Sequence, residues 1–500
     1  MSNETKDELD LNRFGYSQQL NRALGSFSSF AASFSALSLM TGLFQVWFIG
    51  YAFGGPASFW FWPLVLAGQL TVALVFAELA ARFPLAGAAY QWSRLTTGKA
   101  WGWNTGWLYL AAQLLTFPAL VVAYQVTLPE IWSGFNISSS FAKNSIILGI
   151  GALILMTIVN LVGVRFLAHV NNVGVVAEIL GACVLLVLFL AHIHRSPSVV
   201  FNTLGTGASH PSGYFGAFMV AGFMALYNMY AFDAAATLAE ETQDPRRNAP
   251  KAILRALITV GVLGTVLLLL SMMVIRNLHA PELSSIGLPF IVQNILGGTV
   301  GKLVLIDVTI AITVCGLAIQ AWAARTLFAM GRDNQLPFSK SLGRVTKNSH
   351  APEVPVLATA GVGLIILLIN LGNTKAFNTI VALGIIFIYL AYLMVTAATL
   401  RNRLRGWPND GGRSEGLFTM NRPVGIVINA VAVIYGAIMT VNLVWPRAAF
   451  YGPAWYQQYA GLIFVPIVIV AGVLFYWLRR PSDGSLSQDE KLVGADEVRS

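Results

Sequence analysis

Three carboxylic acids lie inside long apolar stretches of the sequence. They are Asp233 in MALYNMYAFDAAATLAE, Glu178 in NNVGVVAEILGACVLL and Asp307 in KLVLIDVTIAIT. A carboxyl group in hydrocarbon costs several kcal/mol, so each should face protein or water, and such residues often mark paths for ions or protons. Burial favours the neutral acid, so Glu178 or Asp233 is a candidate proton carrier near neutral pH, and Asp307 is a weaker one. The alternative for Glu178 is a structural, hydrogen-bonded role.

Hydroxyl groups and a glycine interrupt another apolar run, from Ser26 to Gly54. Ser38, Thr41 and Gly42 lie near its middle, and Gly costs a helix roughly 1 kcal/mol relative to Ala. If the helix unwinds here, its outer half begins with unpaired N–H groups at the positive end of the helix dipole, which is an anion site. The alternative is a continuous helix whose small residues pack closely against neighbouring helices.

The stretch around Asp233 predicts a complementary site. A broken helix would expose carbonyl groups at the end of its outer half, where they attract an ammonium group, and Asp233 would begin the inner half. The alternative is a polar residue that is satisfied between helices. Glu240 and Glu241 follow at the edge of the apolar run, and we predict that they form a structural latch with Arg246 and Arg247.

The composition indicates a polytopic membrane protein. Of the 500 residues, 56% are apolar and 11% are charged, and the mean hydropathy is +0.67, whereas soluble domains carry about 25% charged residues. The first 25 residues are polar, so we expect no cleavable signal peptide. Cys183 and Cys315 lie in apolar runs, so we expect neither a disulfide framework nor a zinc site.

The apolar runs predict twelve membrane spans, near residues 26–50, 58–80, 100–124, 146–163, 172–193, 213–238, 253–275, 303–328, 354–371, 377–400, 423–444 and 459–478. Six of the 31 Lys and Arg residues would then lie on the side opposite the termini: Lys143, Arg195, Arg276, Lys302, Lys375 and Arg447. Basic residues concentrate on the cytoplasmic side of membrane proteins, so we predict that both termini are cytoplasmic. This topology accounts for the net charge of +9, and no nucleic-acid partner is expected.

The spans divide the chain into two similar sets. We predict a cytoplasmic tail over 1–25, a first set of five spans over 26–194 and a second set over 213–400. Two further spans occupy 423–478, and 479–500 is a disordered cytoplasmic tail. Because five is odd, the two sets have opposite orientations in the membrane. Interrupted helices at corresponding places in inverted repeats are typical of the substrate site of a transporter.

Three loop motifs add a resemblance to a known family. They are AELAARFPLAGAAYQW (77–92), LAEETQDPRRNAP (238–250) and ARTLFAMGRDNQLPFSKSLGRV (324–345), which follow the second, sixth and eighth spans. These motifs resemble the signatures of the amino acid–polyamine–organocation permeases. The N-terminal FGYSQQLNRALGSFSSFAASFSALS is similar to the branch of amino acid, γ-aminobutyrate and choline permeases. The resemblance implies an all-α, leucine-transporter-like fold with a 5+5 inverted repeat, broken helices 1 and 6, and helices 11 and 12 added.

The resemblance also implies a binding site. Residues 39–44 fall on the family's break of helix 1, and residues 228–233 fall on its break of helix 6. Met40 and Ala231 stand where glycine is usual, which predicts tighter breaks. Relatives often carry at the position of Glu178 a lysine that stands in for a sodium ion. The implied substrate-binding residues are Ser38, Thr41, Gly42, Tyr227, Asn228, Tyr230, Ala231 and Asp233.

Residues that would indicate an enzyme are missing from the sequence. All six His residues lie in loops or at span ends, and no Cys/His/carboxylate cluster has metal-ligand spacing. There is no P-loop, no nucleotide-binding fingerprint and no Ser/His/Asp arrangement. We therefore expect no catalytic residue, no cofactor, no metal site and no ATP-driven transport.

The sequence thus predicts a secondary permease of the plasma (inner) membrane that takes up an amino acid or an amino-acid-like amine. A proton or a sodium ion would be the coupling ion, with Glu178 as the proton-coupling candidate. Two alternatives stay open. One is a permease for a cation without a carboxylate, such as choline or a polyamine, with Asp233 as the counter-ion. The other is a nutrient sensor that uses the same fold without transporting.

Overall fold

The computed structural model describes residues 3–346, 351–369, 374–408, 416–452 and 454–479. Within these ranges the chain is helical, and the one pairing of strand type is an isolated bridge between Leu24 and Thr242. The predicted all-α class is therefore confirmed. The predicted disordered tail lies, from residue 480 onward, outside the described residues.

The helices that form the spans and the site are numbered here in chain order. They are α1 (Asn3–Asn12), α2 (Ser26–Leu37), α3 (Leu39–Gly54), α4 (Phe61–Arg82), α5 (Ala89–Thr97), α6 (Lys99–Val121), α7 (Phe141–Val162), α8 (Val164–Ala191), α9 (Gly213–Ala221), α10 (Phe223–Asn228), α11 (Ala234–Thr237), α12 (Pro245–Met273), α13 (Leu288–Leu296), α14 (Gly298–Arg332), α15 (Glu353–Ile369), α16 (Thr374–Leu404), α17 (Arg422–Val444) and α18 (Ala460–Arg479).

Nine helical stretches of the described chain are long and apolar enough to cross a membrane. The first is the 57-residue stretch Ser26–Arg82, which holds α2, α3 and α4, and α15 is a shorter apolar helix. Each of the twelve predicted spans overlaps at least one helix. The count of twelve and the inverted repeat stay predictions, because length and hydropathy alone single out nine stretches.

The helices at the periphery expose their apolar side chains. Val187 on α8, Ile434 on α17 and Ile158 on α7 are 65%, 60% and 56% exposed. In water such surfaces would be costly, whereas in a bilayer they face lipid tails. The inner helices are packed differently: α12 lies along α2 and α4, and α14 lies along α6 and α8. Large side chains such as Trp47, Trp62 and Trp322 fill the space between them.

Two of the predicted spans are interrupted. The first span bends at Ser38, which separates α2 from α3 and has φ 39° and ψ 98°. In the sixth span, α10 ends at Asn228 and α11 begins at Ala234. Ala231, between these two helices, has a φ of 70°. Residues other than glycine rarely adopt a positive φ, because their Cβ atom then crowds the backbone. Both interruptions therefore hold a strained residue where the sequence offers no glycine.

Candidate functional site

The break of the first span lies at Ser38, the first residue of the stretch Ser38–Gly42 where the sequence predicts it and one residue before the break at 39–44 that the resemblance implies. Thr41 and Gly42 belong to the first turn of α3. The Ser38 N–H closes α2 by donating to the Phe34 carbonyl at 2.7 Å, and its side chain caps α3 by accepting from the Thr41 N–H at 3.4 Å. The Ser38 and Thr41 hydroxyl oxygens are 2.6 Å apart. One serine thus ends one helix and begins the next, which confines the unwinding to a single residue.

Glu178 on α8 occupies the N-terminal end of α3. Its Oε1 accepts hydrogen bonds from the Met40 N–H at 3.0 Å and from the Ser38 hydroxyl at 2.9 Å. Its side chain is buried, and Oε2 finds no hydrogen-bond partner in the described part of the chain. The first turn of a helix attracts anions. A carboxylate of the chain itself therefore lies at the helix end where the sequence predicts an anion site.

A second acid lies one helical turn from Glu178. A Cβ added to Gly181 of α8 would come within 1.8 Å of Asp307 Oδ2, so this carboxyl packs directly onto α8. Residues three apart on a helix share one face, which places Asp307 beside Glu178. Asp307 Oδ2 is buried and has no hydrogen-bond partner among the residues that the structure describes. Cys315, further along α14, is another titratable side chain near this point.

The break of the sixth span is organised around Asp233. Its two carboxyl oxygens accept from the hydroxyls of Tyr109 on α6 and Tyr392 on α16. Tyr392 also accepts from the Ala231 N–H at 3.0 Å, and the Trp322 indole donates to Tyr109 at 2.6 Å. Asp233 precedes α11, as predicted, but its side chain does not cap that helix. Instead it joins three helices and is fully buried.

Ser33 of α2 supplies the cap that Asp233 does not. Its hydroxyl donates to the Phe232 carbonyl at 2.6 Å and accepts from the Ala235 N–H at 3.0 Å. It therefore satisfies one carbonyl and one N–H group that the break leaves without helical partners. The first and sixth spans are tied together at this serine.

The helices beside the two breaks meet at Gly42 of α3 and Asn228 of α10. A Cβ at Gly42 would lie 1.9 Å from Asn228 Oδ1, so a hydrogen atom is the largest group that fits there without movement. Asn228 Nδ2 donates to the Met224 carbonyl at 2.7 Å. Its Oδ1 is buried and lacks a partner among the described residues. An unused acceptor therefore faces the first turn of α3.

The remaining predicted residues connect the broken spans to α6. The Tyr227 hydroxyl donates to Gln45 Oε1 at 2.8 Å, and Gln45 Nε2 donates to the Ala119 carbonyl at 2.8 Å. The Tyr230 hydroxyl lies 3.2 Å from that of Thr116. These bonds link α10 and α3 to α6 next to the breaks.

Several residues of this region could not be identified from the sequence. Tyr109, Tyr392 and Ser33 bond to residues of the second break, and Trp322 and Gln45 bond to Tyr109 and Tyr227 beside it. All five lie in apolar helices with no distinctive spacing. Each meets its partner across more than 70 positions of the chain. Ser33 belongs to the serine-rich part of the apolar run from Ser26 to Gly54, but no sequence feature distinguishes it from the other serines there.

The predicted latch has different partners from those expected. Glu240 accepts two hydrogen bonds of 2.8 Å from Arg332, and Glu241 accepts two of 2.9 and 3.1 Å from Arg325. Arg246 instead donates to the Ala81 carbonyl at 2.9 Å and to Asp10 Oδ1 at 3.3 Å. Arg247 is half exposed and lies 3.9 Å from Asp244. α14 brings Arg325 and Arg332 next to the two glutamates, where each arginine pairs with a carboxylate through two hydrogen bonds. Such bidentate pairs are stronger than an ion pair with a flexible, exposed arginine.

Comparison with known proteins yields relatives along nearly the whole chain. Residues 24–477 match a family model described as amino acid permease. An amino-acid permease BAT1 homolog of Oryza sativa subsp. japonica is 28% identical, over 86% of each chain. Amino-acid permease BAT1 of Arabidopsis thaliana is 27% identical, over 94% of each chain. A putative amino acid/polyamine transporter of Macrophomina phaseolina is 25% identical, over 83% of this chain and 93% of its own.

Replacing Gly42 by Ala should destabilise the protein, because the new methyl group collides with Asn228 Oδ1. Overpacking of a buried contact costs about 1–3 kcal/mol. Gly361→Ala is the matched control, since a Cβ there meets nothing within 4 Å. Thermal unfolding of the purified protein in detergent measures the loss. Adding Asn228→Ala should recover most of it, and strictly additive losses would show that the two residues do not touch.

Replacing Arg325 by Ala should cost about 3–5 kcal/mol, because it leaves the Glu241 carboxylate buried without its partner. Arg247→Ala should change the stability by no more than about 0.5 kcal/mol, because this side chain is half exposed. The midpoints of unfolding of the two variants, measured side by side, test the assignment. Equal effects would argue for the sequence-predicted pairing.

Proposed function

The chain belongs to the amino acid permease family, within the amino acid–polyamine–organocation superfamily, and we propose that it transports an amino acid or an amino-acid-like amine across the plasma membrane by alternating access. It is a multi-pass membrane protein, and its relatives are named as permeases rather than enzymes. The observation that supports the proposal most is the meeting of two interrupted spans at Gly42 and Asn228. At such a junction the N–H groups that begin one helix lie near the carbonyl groups that end another.

The helix ends suit the two charged groups of a zwitterionic amino acid. The first turn of α3, from Leu39 to Gly42, offers N–H groups for the carboxylate. The end of α10 and the unused Oδ1 of Asn228 offer acceptors for the ammonium group. The side chain of the substrate would then lie among the aromatic residues near Tyr227. Rocking of one group of helices against the other would move this cavity from one side of the membrane to the other.

Occupation of the first turn of α3 by Glu178 supports proton coupling. Two ionised carboxylates at one helix end repel each other, so a substrate carboxylate and a charged Glu178 compete. Protonation of Glu178 removes its charge and weakens its hold on the Met40 N–H. One proton would therefore enter with each substrate molecule. Among the described residues, Asp307, packed on Gly181, and Cys315 are the titratable groups that interact with Glu178.

The alternative of a cation permease with Asp233 as counter-ion is less well supported. Both oxygens of Asp233 already accept hydrogen bonds from tyrosines, and the side chain is fully buried. A cationic substrate would have to displace Tyr109 or Tyr392. The name of the Macrophomina relative includes polyamines, so amines belong in any test of specificity.

Uptake into liposomes that contain the purified protein tests the transport proposal. We expect uptake of at least one zwitterionic amino acid from a radiolabelled panel that also includes choline and polyamines. Imposed pH and sodium gradients identify the coupling ion, and empty liposomes give the background. Uptake of amines alone would favour the cation permease. Binding of an amino acid without flux would favour the nutrient sensor.

Replacing Glu178 by Gln should abolish the pH dependence of amino acid binding, because Gln cannot lose a proton or carry the competing charge. In the wild type we expect the affinity for the amino acid to rise as pH falls through the titration of Glu178. Coupling between two ligands is typically worth about 1–3 kcal/mol, which is a factor of about 5–150 in affinity. Binding measured across a pH series gives this factor.

Asp307→Asn is the comparison variant for this experiment. It removes the neighbouring carboxyl and leaves the bonds from Ser38 and Met40 to Glu178 in place. It should therefore shift the pH profile rather than flatten it. An unchanged profile in Glu178→Gln would refute the assignment of the coupling proton to Glu178, while leaving the transport proposal intact.

A further inference from the structure

A cleft opens between α9 and α17, away from the two breaks. Its volume is about 770 Å³, and its walls include Phe215 and Met219 of α9 and Ile438 and Val441 of α17. Phe215 and Val441 are 70% and 59% exposed although both are apolar. In a membrane protein such a surface faces lipid, so the cleft is a groove in the lipid-facing wall.

The mouth of the groove lies at the level of the lipid headgroups. Trp445 follows the last residue of α17 and is 62% exposed. Tryptophan is enriched at the boundary between hydrocarbon and water. From Trp445 the groove extends along α17 to Ile438, about 10 Å deeper at 1.5 Å per residue. That depth is most of one leaflet of the hydrocarbon core, which is about 15 Å thick.

Arg447 stands at this mouth without a carboxylate partner. Its guanidinium donates two hydrogen bonds of 2.5 Å to Asn442, one to the backbone carbonyl and one to Oδ1. In the described part of the chain no Asp or Glu forms an ion pair with it. Burial lowers the pKa of Arg447 to about 10, because desolvation penalises the charged form. The side chain is still charged at neutral pH, so an uncompensated cation is held at the headgroup level.

We propose that this groove binds a phospholipid, with the phosphate on Arg447 and one acyl chain along Met219, Ile438 and Val441. A phosphate accepts paired hydrogen bonds from a guanidinium and supplies the missing negative charge. The acyl chain covers the apolar walls. The N-terminal end of α9 lies at the same mouth and adds partial positive charge. The combination of an apolar groove and a cation at its rim fits a lipid better than a peptide segment or a soluble anion.

The lipid would support the outer half of the sixth span. Asn442, which holds Arg447, also donates from Nδ2 to the Met219 carbonyl of α9 at 3.0 Å. The guanidinium lies 5.6 Å from the ring centroid of Phe223, the first residue of α10. The headgroup site therefore contacts both helical segments that lead to the break at Asn228. Lipid occupancy should raise the thermal stability of the protein through these contacts.

Native mass spectrometry of the full-length protein, released from detergent with added lipid, tests the proposal. We expect one molecule of phosphatidylglycerol or phosphatidylcholine to be retained, and diacylglycerol of the same chain length to be lost. Equal retention of diacylglycerol would show that the phosphate is not recognised. Assembly of two copies of the chain without bound lipid would show that the groove is an interface between copies.

Two variants and their controls locate the lipid. Val441→Trp fills the groove and Arg447→Gln removes the cation. Each should lower phospholipid retention about tenfold, equivalent to about 1.4 kcal/mol. Val427→Trp, on an exposed turn of α17 outside the groove, and Arg276→Gln, at an exposed arginine elsewhere, should retain the lipid as the wild type does.

Val441→Trp leaves the bonds between Arg447 and Asn442 in place, so it tests the groove even if Arg447→Gln fails to fold. Added phosphatidylglycerol should raise the melting temperature of the wild type and of both controls, but not that of Val441→Trp. Equal retention by Val441→Trp and Val427→Trp would overturn the proposal.

Discussion

The hydrogen bonds from Ser38 and Met40 to Glu178 are the interaction on which the centre of this protein depends. Hydrocarbon offers no water to satisfy the N–H groups that an interrupted helix exposes, so the protein must provide the partners itself. A single carboxylate from α8 does so for the first span. It also places a charged or protonated group at the helix end where a carboxylate substrate is expected to bind. Stability and the proposed coupling thus involve the same atoms.

The second interruption follows the same rule with different residues. Ser33 and Tyr392 satisfy backbone groups of residues 231–235, while Asp233 holds Tyr109 and Tyr392 together. Ser38 and Ala231 both adopt a positive φ, which costs a residue other than glycine about 1–2 kcal/mol. Strain of this kind persists where the surroundings enforce it, and it is common at functional sites. Packing therefore holds both residues in a conformation that glycine would adopt without strain.

Sequence patterns predict where most of the helices lie, but they predict few of the side-chain contacts between helices. Apolar runs locate the helices because each span must be long and apolar, and acids within those runs identify Glu178 and Asp233. The first break lies at Ser38, at one end of the predicted stretch from Ser38 to Gly42, although Gly42 is the residue there with the lowest helix propensity. Gly42 is required for a different reason, the close approach of Asn228. The latch partners were wrong, because Arg325 and Arg332 are more than 80 positions from the glutamates that they bind.

A structure determined with saturating amino acid tests the central claim most directly. We predict that the substrate carboxylate lies within hydrogen-bonding distance of the first turn of α3. We also predict that Glu178 Oε1 no longer accepts from the Met40 N–H, and that the ammonium group lies near Asn228 Oδ1. A substrate bound elsewhere, with the hydrogen bond between Met40 and Glu178 unchanged, would contradict this account of the site.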